Sequence, residues 1–104
     1  MWYKLDKNNT PILCENIIEY VEWERKNPKK RIVKQETING FRVSTVFLGL
    51  DHSFRGETPV LWETMIFGEL DEEYQERYTS YEDAVFGHQT AVHIVKLKNI
   101  INNE

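Results

Sequence analysis

Asp51, His52, Glu63 and His88 set the chemical possibilities of this chain. Carboxylates and imidazoles are the ligands a divalent metal takes, and the same groups can exchange protons near neutral pH. Asp51 and His52 open a polar stretch, residues 49–59, that also carries Phe54, Arg55 and Glu57. Glu63 follows inside an apolar run, and His88 lies in a later helical one. Nothing in this spacing demands a metal. The chain has no H-E-x-x-H, no G-x-x-x-x-G-K-[ST] and no G-x-G-x-x-G.

Each of these residues has a chemical and a structural reading. His88 falls in the middle of the apolar face Tyr81, Ala84, Val85, His88, Ala91, Val92 and Val95. It is either a core histidine satisfied by a partner or a general base or metal ligand. Glu63, on a strand expected to be central, is the natural partner for a buried polar pair. Asp51 is either a ligand or the anchor of an Asx-type turn. Phe54 either presents an aromatic to a partner or folds back as a lid on the core. Eleven residues join two runs that two to five could join, and ordering extra loop costs entropy. The expected binding set is therefore Asp51, His52, Phe54, Arg55, Glu63 and His88. No catalytic residue, metal ligand or cofactor is assigned.

The elements that must position these residues are legible in outline. Asn39-Gly40, between two β-prone runs, predicts a two-residue hairpin. Its register would set Ile38 against Phe41, Glu36 against Val43, Lys34 against Thr45 and Ile32 against Phe47. Lys34, Gln35 and Glu36 mark the first strand as an edge. "PVLWETMIF" predicts a strand apolar on both faces, central and covered on both sides. "YQERY" reads as a short edge strand, and "WYKL" as another short strand. "ENIIEYVEWERK" predicts a helix packing through Ile17, Ile18 and Val21 and ended by Asn27-Pro28. Thr79 and Glu82 match a capping box at the start of the second helix. The order is that of an α+β fold: a mainly antiparallel sheet of about four to five strands packed with two helices, one domain over residues 1–104.

Composition bounds the function class. The chain of 104 residues is 40% hydrophobic and 29% charged, with a formal net charge of -4. Nucleic-acid binding is not expected from that charge. The basic run over residues 25–31 is read as a solvated helix end, with phosphate or an acidic partner as the alternative. One cysteine, Cys14, excludes an intrachain disulfide and points to a buried thiol. No apolar run reaches membrane-spanning length, and "MWYKLDKNN" lacks the apolar segment of a signal peptide. The expectation is a soluble, cytoplasmic protein with no membrane partner.

"RVSTVFLGLDH", "WETMIFG", "YQERYTSYEDA" and "GH", in this order, resemble a family of small proteins encoded by tailed phages and prophages. The likeness covers residue 2 to about residue 93. It departs at Glu69, where a second glycine is usual. The resemblance implies a phage or prophage origin, the cytoplasm of the bacterial host as location, and Asp51, His52, Glu63, Arg77 and His88 as motif residues. By analogy with other small acidic phage proteins, the expected role is an accessory one. The protein would be a non-catalytic binding module that sequesters or inhibits a host protein, defence proteins included, or a small ligand. The alternatives are a small metal-dependent hydrolase using Asp51, His52, Glu63 and His88, and a minor virion or assembly component acting as a homo-oligomer.

Overall fold

The structure, a computed structural model, describes residues 1–54, 58–68 and 74–102, with the backbone alone for 99–102. Arg55 and the rest of 55–57, the acidic connection over 69–73 and the terminal residues 103–104 lie outside the described residues. The element order is β1 (Tyr3–Leu5), β2 (Pro11–Leu13), α1 (Ile17–Lys26), β3 (Ile32–Ile38), β4 (Phe41–Phe47), β5 (Trp62–Phe67), β6 (Tyr74–Tyr78) and α2 (Tyr81–Asn102). This is an α+β fold in which β3-β4-β5-β6 form an antiparallel sheet and β1-β2 a separate hairpin. No described helix is long and apolar enough to cross a membrane.

The β3–β4 turn follows its sequence. Asn39 and Gly40 take φ of 52° and 86°, the left-handed pair of a type I′ turn. Pairing runs as expected from Ile38↔Phe41 to Lys34↔Thr45 and then slips, so that Ile32 meets Val46 and not Phe47. A bulge between Ile32 and Lys34 absorbs the extra residue. β3 and β6 are the edges, as their polar sequences predict, and β4 and β5 are central.

The first hairpin contains a strand that sequence reading missed. "PIL" is short and begins with proline, yet β2 pairs with β1 across a turn closed by Asp6. The Asp6 carboxylate accepts the N–H groups of Asn8 at 2.8 Å and Thr10 at 2.9 Å. The hairpin joins the end of β4, where the Tyr3 N–H donates to the Gly49 carbonyl and the Asp51 N–H to the Met1 carbonyl. Lys4 on β1 pairs with Glu19 on α1 at 2.9 Å.

α1 starts two residues inside the expected boundary, with Asn16 as its cap accepting the Glu19 N–H at 3.0 Å. Its packing face also differs. Ile17, Ile18 and Val21 are exposed, Ile18 by 66%, while Tyr20 is buried. Tyr20 packs against Trp2 and Trp23, Trp23 edge-on against Phe47, and Phe47 against Trp62, at centroid separations of 4.7 to 5.9 Å. Aromatic rings bury more area than aliphatic side chains, and this ladder decided the helix rotation. Gly49, at φ 80°, completes the seat, since a Cβ there would strike the Tyr20 ring. Burial pushes the Tyr20 hydroxyl up to about 12.

α2 covers one face of the main sheet through Ala84, Gly87, His88, Ala91 and Val95. Its cap is Ser80, not Thr79: the Ser80 hydroxyl accepts the Asp83 N–H at 3.1 Å. Facing α2 are Val43, Thr45 and Phe47 from β4 and Trp62, Thr64 and Ile66 from β5, all buried. The opposite face is covered by no described helix, so β5 is not sandwiched as its sequence suggested. The molecule is elongated, 53 × 30 × 23 Å.

Candidate functional site

His88 is 2% exposed and bonded on both sides of its ring. Nδ1 lies 2.7 Å from the Thr45 hydroxyl, which lies 2.6 Å from the Thr64 hydroxyl. Nε2 lies 2.9 Å from a carboxylate oxygen of Glu36. A carboxylate only accepts, so Nε2 carries the proton toward Glu36. In the neutral ring Nδ1 then accepts from Thr45, and Thr45 accepts from Thr64. The donors and acceptors close into one directed chain from β5 through β4 and α2 to β3.

The order hydroxyl, imidazole, carboxylate is that of a nucleophile, its base and the group that orients the base. Access rules out that chemistry here. Thr45 and Thr64 are fully buried, so neither oxygen can reach a substrate. Solvent approaches the His88 end through two grooves between β3 and α2, one of about 310 Å3 at Lys34, Glu36, Val92, His93 and Lys96 and one of about 230 Å3 at Val33, Lys34, Tyr81 and Val85. The chain of bonds ties α2 to β3, β4 and β5.

Glu63 is not the partner of His88. It points to the uncovered face of β5, 8% exposed, with Arg77 Nε at 2.9 Å and Gln75 Nε2 at 2.6 Å. Successive strand residues point to opposite faces, and Thr64 took the side facing α2. Glu63 and His88 therefore have the sheet between them. Asp51, His52, Glu63 and His88 do not converge, and among the described residues no group of three or more histidines, cysteines or acids could hold a metal ion.

Asp51 is the anchor of the β4–β5 loop. Its carboxylate accepts the Ser53 N–H at 2.7 Å, the Val60 N–H at 2.9 Å and the Ser53 hydroxyl at 2.9 Å. The His52 N–H donates to the Val60 carbonyl at 2.9 Å, so both ends of the loop are tied. Burial of the Asp51 carboxyl opposes ionisation. The Ser53 and Val60 N–H groups, the Ser53 hydroxyl and the N-terminal ammonium outweigh it, and hold the carboxyl below its ordinary value. His52 is exposed. Phe54 is 98% exposed and is no lid on the core. Arg55 lies outside the described residues.

Residues that sequence reading left out of the site hold it together, Thr64 among them. Glu36 and Thr45 belong to the His88 chain. The hairpin register was the available signal, because it set Glu36 against Val43 and so on the face of α2. Gly87 is another. The Tyr78 ring packs against its backbone, where a Cβ would collide with that ring. In "GH", the glycine admits Tyr78 and the histidine reaches the sheet. Of the basic run, Arg31 is structural: its Nε donates to the Phe47 carbonyl at 3.1 Å, and it pairs with Glu24 at 3.4 Å. Cys14 is buried, and burial raises its thiol above the ordinary value, against nucleophilic use.

Compared with known proteins, the chain matches no family model, no curated protein and no solved structure.

Proposed function

We propose that this chain is a non-catalytic binding module, a phage or prophage accessory protein that sequesters or inhibits a host protein in the cytoplasm of the bacterial host. The observation that supports this reading is Phe54. A phenylalanine with 98% of its surface in water, on a loop clamped at its base by Asp51, stabilises nothing in its own fold. A partner that covers it gains apolar burial without having to order the loop base. Asp51 acts by holding the loop, His52 precedes the aromatic by two residues and Arg55 follows it in sequence, and Glu63 and His88 serve the fold beneath. A large protein surface suits an uncovered aromatic better than a small ligand does. The hydrolase alternative loses support because its four residues are divided by the sheet.

The test is paired. Phe54→Ala is compared with the unsubstituted protein for thermal stability and for proteins captured from a lysate of the bacterium that carries the gene. The expected result is an unchanged melting temperature, within about 0.5 kcal/mol of stability, and loss of the captured partner. A variant that melts earlier in proportion to its lost capture overturns the reading.

A further inference from the structure

The two edges of the main sheet are protected differently. β3 is interrupted by its bulge at Val33 and carries Lys34 and Glu36, 3.9 Å apart. Bulges and charges of this kind discourage a further strand. β6 has no bulge. It pairs residue for residue with β5 from Tyr74 to Tyr78, and no described strand lies on its other side. Every second residue there turns its N–H and C=O away from the sheet.

Beside that edge lies a groove of about 490 Å3 between β6 and α2. Tyr74, Glu76 and Tyr78 line its strand side, and Asp83, Phe86 and Thr90 its helix side. Phe86 is 71% exposed, an apolar wall with no described residue packed over it. The carboxylates of Glu76 and Asp83 make no ion pair among the described residues. Arg77 also borders the groove, and its guanidinium is engaged by Glu63 on the opposite face of the strand.

We propose that β6 accepts an extended peptide as an added strand, with a basic side chain of the peptide facing Glu76 and Asp83 and its apolar neighbours in the groove between β6 and α2. Main-chain bonds to a free edge supply affinity in this mode, and alternate side chains in an adjoining groove supply specificity. A second copy of this chain fits less well. Antiparallel pairing of β6 with itself about a twofold axis normal to the sheet keeps the same face upward. The register that overlaps the whole strand then sets Glu76 opposite Glu76, and like charges directly opposed are destabilising. This surface is separate from the Phe54 loop, and the peptide experiment involves no loop residue.

The probe is the blocked heptapeptide acetyl-Thr-Val-Thr-Lys-Thr-Val-Thr-amide, titrated into the full-length, 15N-labelled protein while amide spectra are recorded. Shifts are expected at Tyr74–Tyr78, Phe86 and Thr90, together with slowed amide exchange in β6. Glu76→Lys should weaken binding at least tenfold and reverse the preference toward the same peptide with Glu in place of Lys. Asp83→Lys should weaken it in the same direction, and either variant folded as before supports the test. N-methylation of alternate peptide nitrogens on the pairing edge should abolish binding. Absence of shifts at millimolar peptide overturns the proposal. So do shifts centred on β3, equal binding of the N-methylated peptide, or self-association of the protein through β6.

Discussion

His88 and Glu63 are both buried polar side chains, and they sit on opposite faces of one sheet. His88 points from α2 onto the sheet, where the Thr45 and Thr64 hydroxyls are fully buried, and its partners form a chain of bonds from β5 to β3. Glu63 lies on the face with no described helix, and its cover is made by Gln75 and Arg77 from the neighbouring strand. A polar group under a helix must be satisfied by fixed internal partners. On an open sheet face, long side chains can satisfy it while keeping their own ends in solvent. Burial of similar degree thus has different consequences on the two faces.

The largest expected contrast is between apolar residues on those faces. Phe47→Ala, under the aromatic ladder, should lose about 3–5 kcal/mol. Met65→Ala, half-buried on the open face, should lose less than about 2 kcal/mol by the same relation. Equal losses in urea denaturation would mean that the open face is covered as tightly as the other. His88→Ala comes next. It leaves the Thr45 hydroxyl without its acceptor and the Glu36 carboxylate without its donor, at a cost of about 1–3 kcal/mol. A loss of only a few tenths would show that the chain of bonds contributes nothing.

Glu63→Gln removes a pair whose arginine is 42% exposed, and about 1 kcal/mol or less should be lost. The double variant sharpens the comparison. With no shared partner, the two losses should add to within about 0.5 kcal/mol. A larger coupling energy would put His88 and Glu63 in one network.

The smallest effect is that of Asp51, at the loop joining the two central strands. Its folded pKa is depressed, so its ionised form is stabilised by folding. That contribution is complete above the unfolded value of about 3.9 and disappears as pH falls through the lower folded value. Melting curves of Asp51→Asn and of the unsubstituted protein should therefore differ at neutral pH and converge in acid below about pH 4. A gap that widens on acidification would reverse the sign and refute the assignment.

Some of this protein was written locally and could be read locally. Asn39-Gly40 tolerates the positive φ values of a tight turn, so the hairpin and most of its register follow from a dipeptide and a count. The α2 face follows from helical periodicity, and with it the burial of His88. The polar edges β3 and β6 follow from their charges. The bulge at Val33 did not show in the sequence, because no residue type there demands one.

What the tertiary structure decided were the choices between faces. Around Glu63 both phases of the alternation are apolar, Trp62, Thr64 and Ile66 against Leu61, Met65 and Phe67, so the pattern alone cannot say which faces a helix. The docking of α2 on Thr45, Thr64 and Trp62 settled it and sent Glu63 outward. In α1 the aliphatic stripe and the aromatic pair competed, and the partners Trp2 and Phe47, distant in sequence, drew Tyr20 and Trp23 inward. Propensity and periodicity act over a few residues along the chain. Which of two apolar faces is buried depends on area gained against elements far away in sequence, and that is set only when the chain closes on itself.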